Sequence, residues 1–362
     1  MYDYLIVGAG LFGAVFADRA SQKGKRCLVI DKREHIGGNL HCEGIAGVTV
    51  HKYGAHVFHT DDTRAWEYVN GFAEFNRFTY SPMANFGGEL YSLPFNMNTF
   101  CKLWGVSAPA AAREIVEGRR VFVSEPKNLE ERAMSLVGAD LYEMFIKGYT
   151  EKRWGRKCAD LPAHIIDRLP IRFTFDCDYY GDRFQGVPVG GYDRIIEKML
   201  GSCDVKLGTD FFSDRARYGY IADKVIFTGM VDEFYGYRFG KLEYRSLSFD
   251  TEVLDMPDFQ GNAVVNYTSA DVPYTRIIEH KHLEFGTQAR TVVTYEYPAE
   301  FCPGNEPYYP INDARNEAVY ARYWKLAARE RGVVFGGRLG TYRRLDMWQA
   351  VSEALKCADE LL

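Results

Sequence analysis

Cysteine is sparse and scattered in this chain. The 8 cysteines of the 362 residues form no CxxC pair, which argues against zinc-ribbon or dithiol chemistry and suits the reduced thiols of a cytoplasmic protein. His56 with His59 and His280 with His282 are the short histidine pairs, but no Cys or acidic residue stands near them at zinc-like spacing, so no metal is expected. A basic surplus is also missing. The net charge of −5 provides no general field for nucleic acid, and any phosphate site must be a local cluster of Arg or Lys. No apolar run approaches membrane-spanning length, and an apolar strand begins almost at Met1, so neither membrane insertion nor a signal peptide is expected. There is no internal repeat, no low-complexity segment and no second GxGxxG, which leaves room for one dinucleotide fold and not two.

What the chain does have is apolar mass and aromatic rings. A hydrophobic content of 47% over this length supports two or three packed units, and 25 Tyr with 24 Phe is a high aromatic load for cores, bases or sugars to stack upon. The first forty residues organise the rest. Tyr4-Leu5-Ile6-Val7 runs into Gly8-Ala9-Gly10-Leu11-Phe12-Gly13, a helical segment follows to Gly24, and Cys27-Leu28-Val29-Ile30 ends at Asp31. Strand, glycine spacing, helix and acid together make a βαβ dinucleotide fingerprint. Gly8 allows the turn, Gly10 allows a pyrophosphate to approach, and Gly13 allows close packing of helix on strand. The helix N-terminus offers free N–H groups to the phosphates, and Asp31 stands where it can accept the ribose hydroxyls. The extension Lys32-Arg33-Glu34-His35-Ile36-Gly37-Gly38-Asn39 resembles flavoproteins of the glutathione-reductase structural class, which implies FAD as the cofactor.

Further along, Val48 and Val50 alternate as in a strand, and His51 to Thr60 reads as a loop approaching a ligand, with His56 the favoured contact. Asp62 to Val69 suits a short helix. Helical signals then dominate residues 97–160: Ser107 as a cap ahead of Pro109, an Asn128/Glu131 capping box, and one apolar stripe from Leu129 to Phe145. Gly148 to Gly155 reads equally as a helix terminus or as a polar ligand wall. A helix follows Tyr192, and strands are expected at Asp204–Leu207 and Lys224–Phe227. Residues 241–300 alternate as an antiparallel sheet, a helix spans Ala318 to Arg329, and Val333-Val334-Phe335 precedes a last helix capped by Asp346 and Gln349. The fold class expected is α/β, a Rossmann-like FAD-binding domain with a helical insert and an antiparallel β-sheet domain. The FAD domain takes 1–76, 185–235 and 330–362, the insert 97–160, and the sheet domain 77–96, 161–184 and 236–329.

Assembled, these segments resemble the bacterial UDP-galactopyranose mutases. The resemblance rests on Gly8 to Gly13, His51 to Thr60, Leu93 to Thr99, Lys147 to Gly155, Arg168-Leu169-Pro170, Val272 to Arg276, Glu306 to Pro310 and Gly336 to Met347. It implies interconversion of UDP-galactopyranose and UDP-galactofuranose without net redox change, with N5 of reduced FAD as the nucleophile at the anomeric carbon. It implies catalytic roles for Arg168, Arg276 and His56. Cofactor contacts are implied for Gly8, Gly10, Phe12, Gly13, Asp31, Lys32, Gly38, Asn39, His56, Val57, Arg338, Asp346 and Met347. Substrate contacts are implied for Phe145, Tyr149, Thr150, Trp154, Arg168, Tyr179, Arg245, Asn266, Arg276, Tyr309 and Tyr342, with Phe145 and Tyr149 at the uracil and Arg168 and Arg276 at the diphosphate. A homodimer and a loop closing around residues 156–185 are further implications.

Two positions depart from the family pattern. Tyr80 stands where many relatives have asparagine, and Arg344 where some have tyrosine. Two other classes compete on fold alone: a flavin amine oxidase or dehydrogenase, and a noncatalytic FAD-holding protein. The arginines favour the mutase, because an amine oxidase has little use for a diphosphate clamp.

Overall fold

The strands of the fingerprint carry apolar side chains on both faces, as a sheet covered on both sides requires. In the computed structural model, which describes residues 1–167 and 169–362, β1 (Tyr2–Val7) and β2 (Cys27–Ile30) lie in a five-stranded parallel sheet. Its order is Val333–Phe335, Ala222–Phe227, β1, β2, Asp204–Lys206. Tyr4, Ile6 and Val29 face α1 (Leu11–Gln22) together with the helices Asp193–Leu200 and Met347–Leu361. Leu5, Leu28 and Ile30 face the opposite way, against Phe211, Phe227 and Phe234. Each such side chain, fully enclosed, contributes about 1.5–3 kcal/mol.

A second sheet has seven strands in the order Tyr309–Pro310, Tyr244–Leu254, Thr291–Glu300, Arg276–Glu279, Val264–Tyr267, Met83–Phe86, Glu89–Ser92. All its pairs are antiparallel except Val264–Tyr267 with Met83–Phe86, which is parallel. Its register matters for the site: Arg276 lies opposite Asn266 on one side and Glu296 on the other.

Helices fill the segment between these sheets in sequence. Met97–Trp104, Pro109–Arg119 and Leu129–Leu141 pack around Phe100, Val116, Leu129, Ala133 and Val137. Three local expectations change. Ala108 rather than Ser107 holds the N-cap position, with Pro109 as first helical residue and no side-chain cap. Asn128 caps its helix through the Glu131 N–H at 2.9 Å, but the Glu131 carboxylate reaches the N–H of Lys127, one residue before the cap. The stripe from Leu129 to Phe145 is not one straight helix. Gly138 breaks it at φ 80° and ψ 178°, where a Cβ would lie 2.4 Å from the Arg119 carbonyl oxygen, and a wider helical turn, Tyr142–Lys147, follows. Periodicity hides the break because apolar residues continue at helical spacing on both sides of it.

Candidate functional site

The glycine fingerprint builds one end of the site. Gly8 closes the turn after β1 at φ 112°, and Gly13 packs so tightly that a Cβ would stand 2.1 Å from the Gly8 carbonyl oxygen. Phe12 is buried behind them. A Cβ built at Gly10 meets nothing within 4 Å, so the helix mouth is open where a pyrophosphate would approach. Asp31 is held by two backbone donors, the N–H of Ala9 at 2.8 Å and that of Arg33 at 2.9 Å. Gly38 and Asn39 lie in the turn Gly38–Leu40, against Gly10. These residues fit a dinucleotide: open helix donors, a fixed acid, and no side chain in the mouth. Arg33, not predicted as a site residue, ties this end together. It donates to Asn39 Oδ1 at 2.9 Å and to Glu306 Oε2 at 2.7 Å, and its guanidinium lies over the ring of Tyr53. Lys32 is largely exposed, 3.6 Å from Glu306.

Beyond the mouth stands a set of uncharged histidines. The His56 N–H donates to His51 Nδ1 at 3.2 Å, and the His51 N–H donates to His280 Nδ1 at 3.2 Å. Burial pulls His51 down to about 4 and His56 down to about 3, the latter also repelled by Arg338 and Arg276, and burial takes His280 well below its ordinary value. Neutral His56 retains a buried Nδ1 without a partner among the described residues. Val57, beside it, is buried. Arg338, in the short turn Gly337–Gly340, therefore lies near His56, as Arg276 does. Asp346 and Met347 begin the last helix, where Asp346 forms a capping box with Gln349.

The second sheet supplies the other wall. Arg276 Nε lies 3.0 Å from Glu296 Oε1, whose side chain is only 3% exposed, and Thr275 Oγ1 donates to the same oxygen at 3.0 Å. Burial alone would lower the Arg276 value; Glu296 together with the phenols of Tyr149, Tyr80 and Tyr309 raises it well above that of a free guanidinium. Asn266, across the register, has a buried Oδ1 with no partner among the described residues. The Tyr149 hydroxyl accepts from Arg276 at 3.3 Å and from Arg153 at 3.4 Å. Arg153 lies over the ring of Tyr309 at 4.8 Å, and Arg344 lies over the same ring at 5.8 Å. Tyr179 joins this wall through Tyr80 and Tyr180, with ring centroids 5.7 and 5.6 Å away. Tyr80, one of the two departures, is a buried aromatic facing Arg276, and burial raises its hydroxyl value.

Not every predicted residue converges here. Tyr342 is 1% exposed, and its hydroxyl is shared between the carbonyls of Glu243 at 2.6 Å and Ile311 at 3.0 Å. Its hydroxyl is thus engaged in the core, with no donor left over for a ligand in this arrangement. Arg245 is buried and committed to Glu300 and to the Arg153 carbonyl, so it braces the wall. Phe145 is enclosed by Tyr91, Phe86 and Phe95, and Trp154 is buried in the same helical core, while Thr150 is half-buried on the helix Gly148–Trp154. Arg168 lies outside the described residues. Elsewhere, His282 Nε2 stands 3.3 Å from both Asp258 and Glu279. Glu279 stands three residues before His282 and Asp258 comes from a separate loop, but Glu279 is already filled by the N–H groups of Phe259, Gln260 and Gly261 and by the Thr291 hydroxyl, as a loop clamp would be.

A parallel sheet with a glycine-rich helix mouth, joined to an arginine-lined antiparallel sheet, defines a protein with a nucleotide-binding Rossmann-like domain of the flavoprotein type. Comparisons agree and go further. The profile of the NAD(P)-binding Rossmann-like domain matches residues 6–72, and that of UDP-galactopyranose mutase matches residues 144–344. The chain belongs to the UDP-galactopyranose mutase family. It is 40% identical over 368 residues to a probable UDP-galactopyranose mutase of Klebsiella pneumoniae, covering 99% of this chain and 94% of that one. It is 35% identical over 372 residues to the dTDP-fucopyranose mutase of Escherichia coli, covering 99% and 98%. Among solved structures, a reduced UDP-galactopyranose mutase superposes with a TM-score of 0.77 at 14% identity, covering 100% of this chain and 94% of the other.

Proposed function

We propose that this protein interconverts UDP-galactopyranose and UDP-galactofuranose, with FAD held by the fingerprint and active when reduced. The observation that carries the reading is the single rung Asn266–Arg276–Glu296, with Tyr149, Arg153 and Tyr309 beside it and with both Arg276 and Arg338 close enough to His56 to lower its value. The FAD would be held by Gly8 to Gly13, Asp31, Gly38 and Asn39, with Arg338, Asp346 and Met347 as further contacts. Bound and reduced, it supplies a nucleophilic nitrogen for the anomeric carbon.

The side chains do the rest of the work. As the anomeric C–O bond breaks, charge develops on the departing phosphate, and Arg276 faces that charge with a fixed, oriented guanidinium. Arg168 is proposed as its partner. Asn266 offers an unfilled acceptor to a sugar hydroxyl. Neutral His56 can hydrogen-bond without adding charge beside a cationic intermediate. Tyr80, Tyr179 and Tyr180 present rings that exclude water from the opened sugar.

A second reading changes the nucleotide sugar and not the chemistry. The Escherichia coli relative acts, by its name, on dTDP-fucopyranose, and it matches this chain end to end. The test is turnover of dithionite-reduced protein with UDP-galactofuranose, following UDP-galactopyranose by chromatography, with dTDP-fucofuranose assayed in parallel. Turnover of the first confirms the proposal, turnover of the second alone moves the substrate to dTDP-fucose, and turnover of neither, with flavin bound and reduced, rejects the reaction.

A further inference from the structure

Arg153 is the feature of this cleft that the sequence reading left unassigned. Its backbone is fixed by Arg245, which donates to the Arg153 carbonyl at 3.2 Å and is itself paired with Glu300. Its guanidinium is fixed by stacking over Tyr309 and by the Tyr149 hydroxyl. No carboxylate lies within 4.0 Å of it among the described residues, whereas Arg276 has Glu296. A half-buried guanidinium, rigidly held by a ring and a phenol and without a carboxylate beside it, is preorganised for an anion supplied by a ligand.

The phenol oxygen of Tyr149 strengthens the point. Both its lone pairs receive guanidinium donors, so its own O–H proton must be directed elsewhere, toward an acceptor. Three convergent donor groups on one small volume, Arg153, Tyr149 and Arg276, suit a phosphate far better than a neutral sugar. Their order along the cleft follows from where each is anchored. Arg276 is paired with Glu296, whose Oε2 would lie 3.4 Å from a Cβ at Gly54 in the loop that carries His56, while Arg153 stands on the helix Gly148–Trp154 over Tyr309, a ring it shares with Arg344.

We propose that Arg153 binds the diphosphate at its nucleoside end, the α-phosphate, and so sets affinity and not the rate of the chemical step. The proposal rests on the cleft being a nucleotide-sugar site. Little charge develops on the α-phosphate when the sugar departs, so its donor stabilises ground and transition states alike.

The experiment uses the flavin-loaded protein and its R153Q and R153K variants, titrated calorimetrically with UDP, UMP and uridine, and with the thymidine series in parallel. R153Q is expected to weaken UDP and UMP by roughly 10- to 100-fold and leave uridine unchanged, with R153K between the two. In turnover, KM rises by a similar factor and kcat stays within about threefold. Unchanged UDP binding overturns the proposal, as does an equal loss for uridine, which would mean a damaged base platform. Loss for UDP without loss for UMP would overturn the placement at the α-phosphate. Because binding is read without turnover, normal diphosphate binding by a protein that isomerises no sugar would count against the proposed reaction and not against Arg153.

Discussion

Arg276 serves two masters, a buried carboxylate behind it and an anion in front. Replacing it by alanine leaves Glu296 enclosed with only Thr275 for a side-chain donor among the described residues, and stripping one partner from a buried pair costs about 3–5 kcal/mol. Arg276→Ala is therefore expected to lose stability as well as turnover. The double variant Arg276→Ala/Glu296→Gln separates the two: it should regain most of the melting temperature yet remain roughly a hundred- to thousandfold slower with reduced flavin. A double variant turning over near the wild-type rate would remove Arg276 from the chemistry. The buried histidines set a second expectation. His51 and His56, at about 4 and about 3, and His280 bind protons less readily than in the unfolded chain, where an imidazole titrates near 6.5. The unfolded state thus takes up more protons below pH 6.5, so stability is full above that value and falls as pH drops toward 4, by roughly 1.4 kcal/mol per pH unit for each histidine. Urea midpoints at pH 7.5, 6 and 5 should fall accordingly, and His280→Gln should show a shallower decline. Parallel slopes in the two proteins would exclude His280 as a proton-linked group.

At the level of elements, one side chain of the helix Gly148–Trp154 gathers the loop that links two strands of the second sheet. Lys152 Nζ donates to the carbonyls of Tyr267, Ser269, Val272 and Tyr274 at 2.8, 2.8, 2.9 and 3.0 Å. It closes a loop that would otherwise leave these oxygens turned inward, and burial holds its own value down to about 8, against Asp271. Lys152→Met keeps the length of the stem but removes every donor. It is expected to lower stability by about 1–3 kcal/mol and to weaken substrate binding, because the same helix carries Tyr149 and Arg153. An unchanged melting temperature would show that the loop is held by other means. This element also marks where sequence reading stops. The fingerprint was legible because its parts are consecutive and each is required by local geometry: the turn, the close approach at Gly13, the helix mouth. The alternation of residues 241–300 announced strands, and Arg276 stood out through the family resemblance. Glu296, Lys152's carbonyls and the neutral histidine row were not legible, because strand register and loop closure bring them together from distant positions. The break at Gly138 and the enclosed hydroxyl of Tyr342 escaped for a similar reason: periodicity reports a face, not what occupies it.

Over the whole molecule, the parallel sheet is assembled from pieces of chain far apart. The Val333–Phe335 strand forms its edge beside Ala222–Phe227, and the helix Met347–Leu361 lays Val351, Ala354, Leu355 and Ala358 against the core that contains α1. Deleting residues 330–362 removes an edge strand and the cover of α1 together with Arg338. The truncated chain is expected to retain no flavin absorbance and to aggregate on expression. A soluble, yellow truncation would show the first part of the chain to be self-sufficient.

That layout has a consequence for biogenesis. The apolar side of α1 is made within the first two dozen residues, but the helix that shields it begins at Met347. At about 5–20 residues per second, the ribosome needs roughly 15–60 s to deliver the missing surface. For that interval the nascent chain carries Phe16 and its neighbours without their final partners. The cofactor pocket can be completed only once the helix Met347–Leu361 has been made.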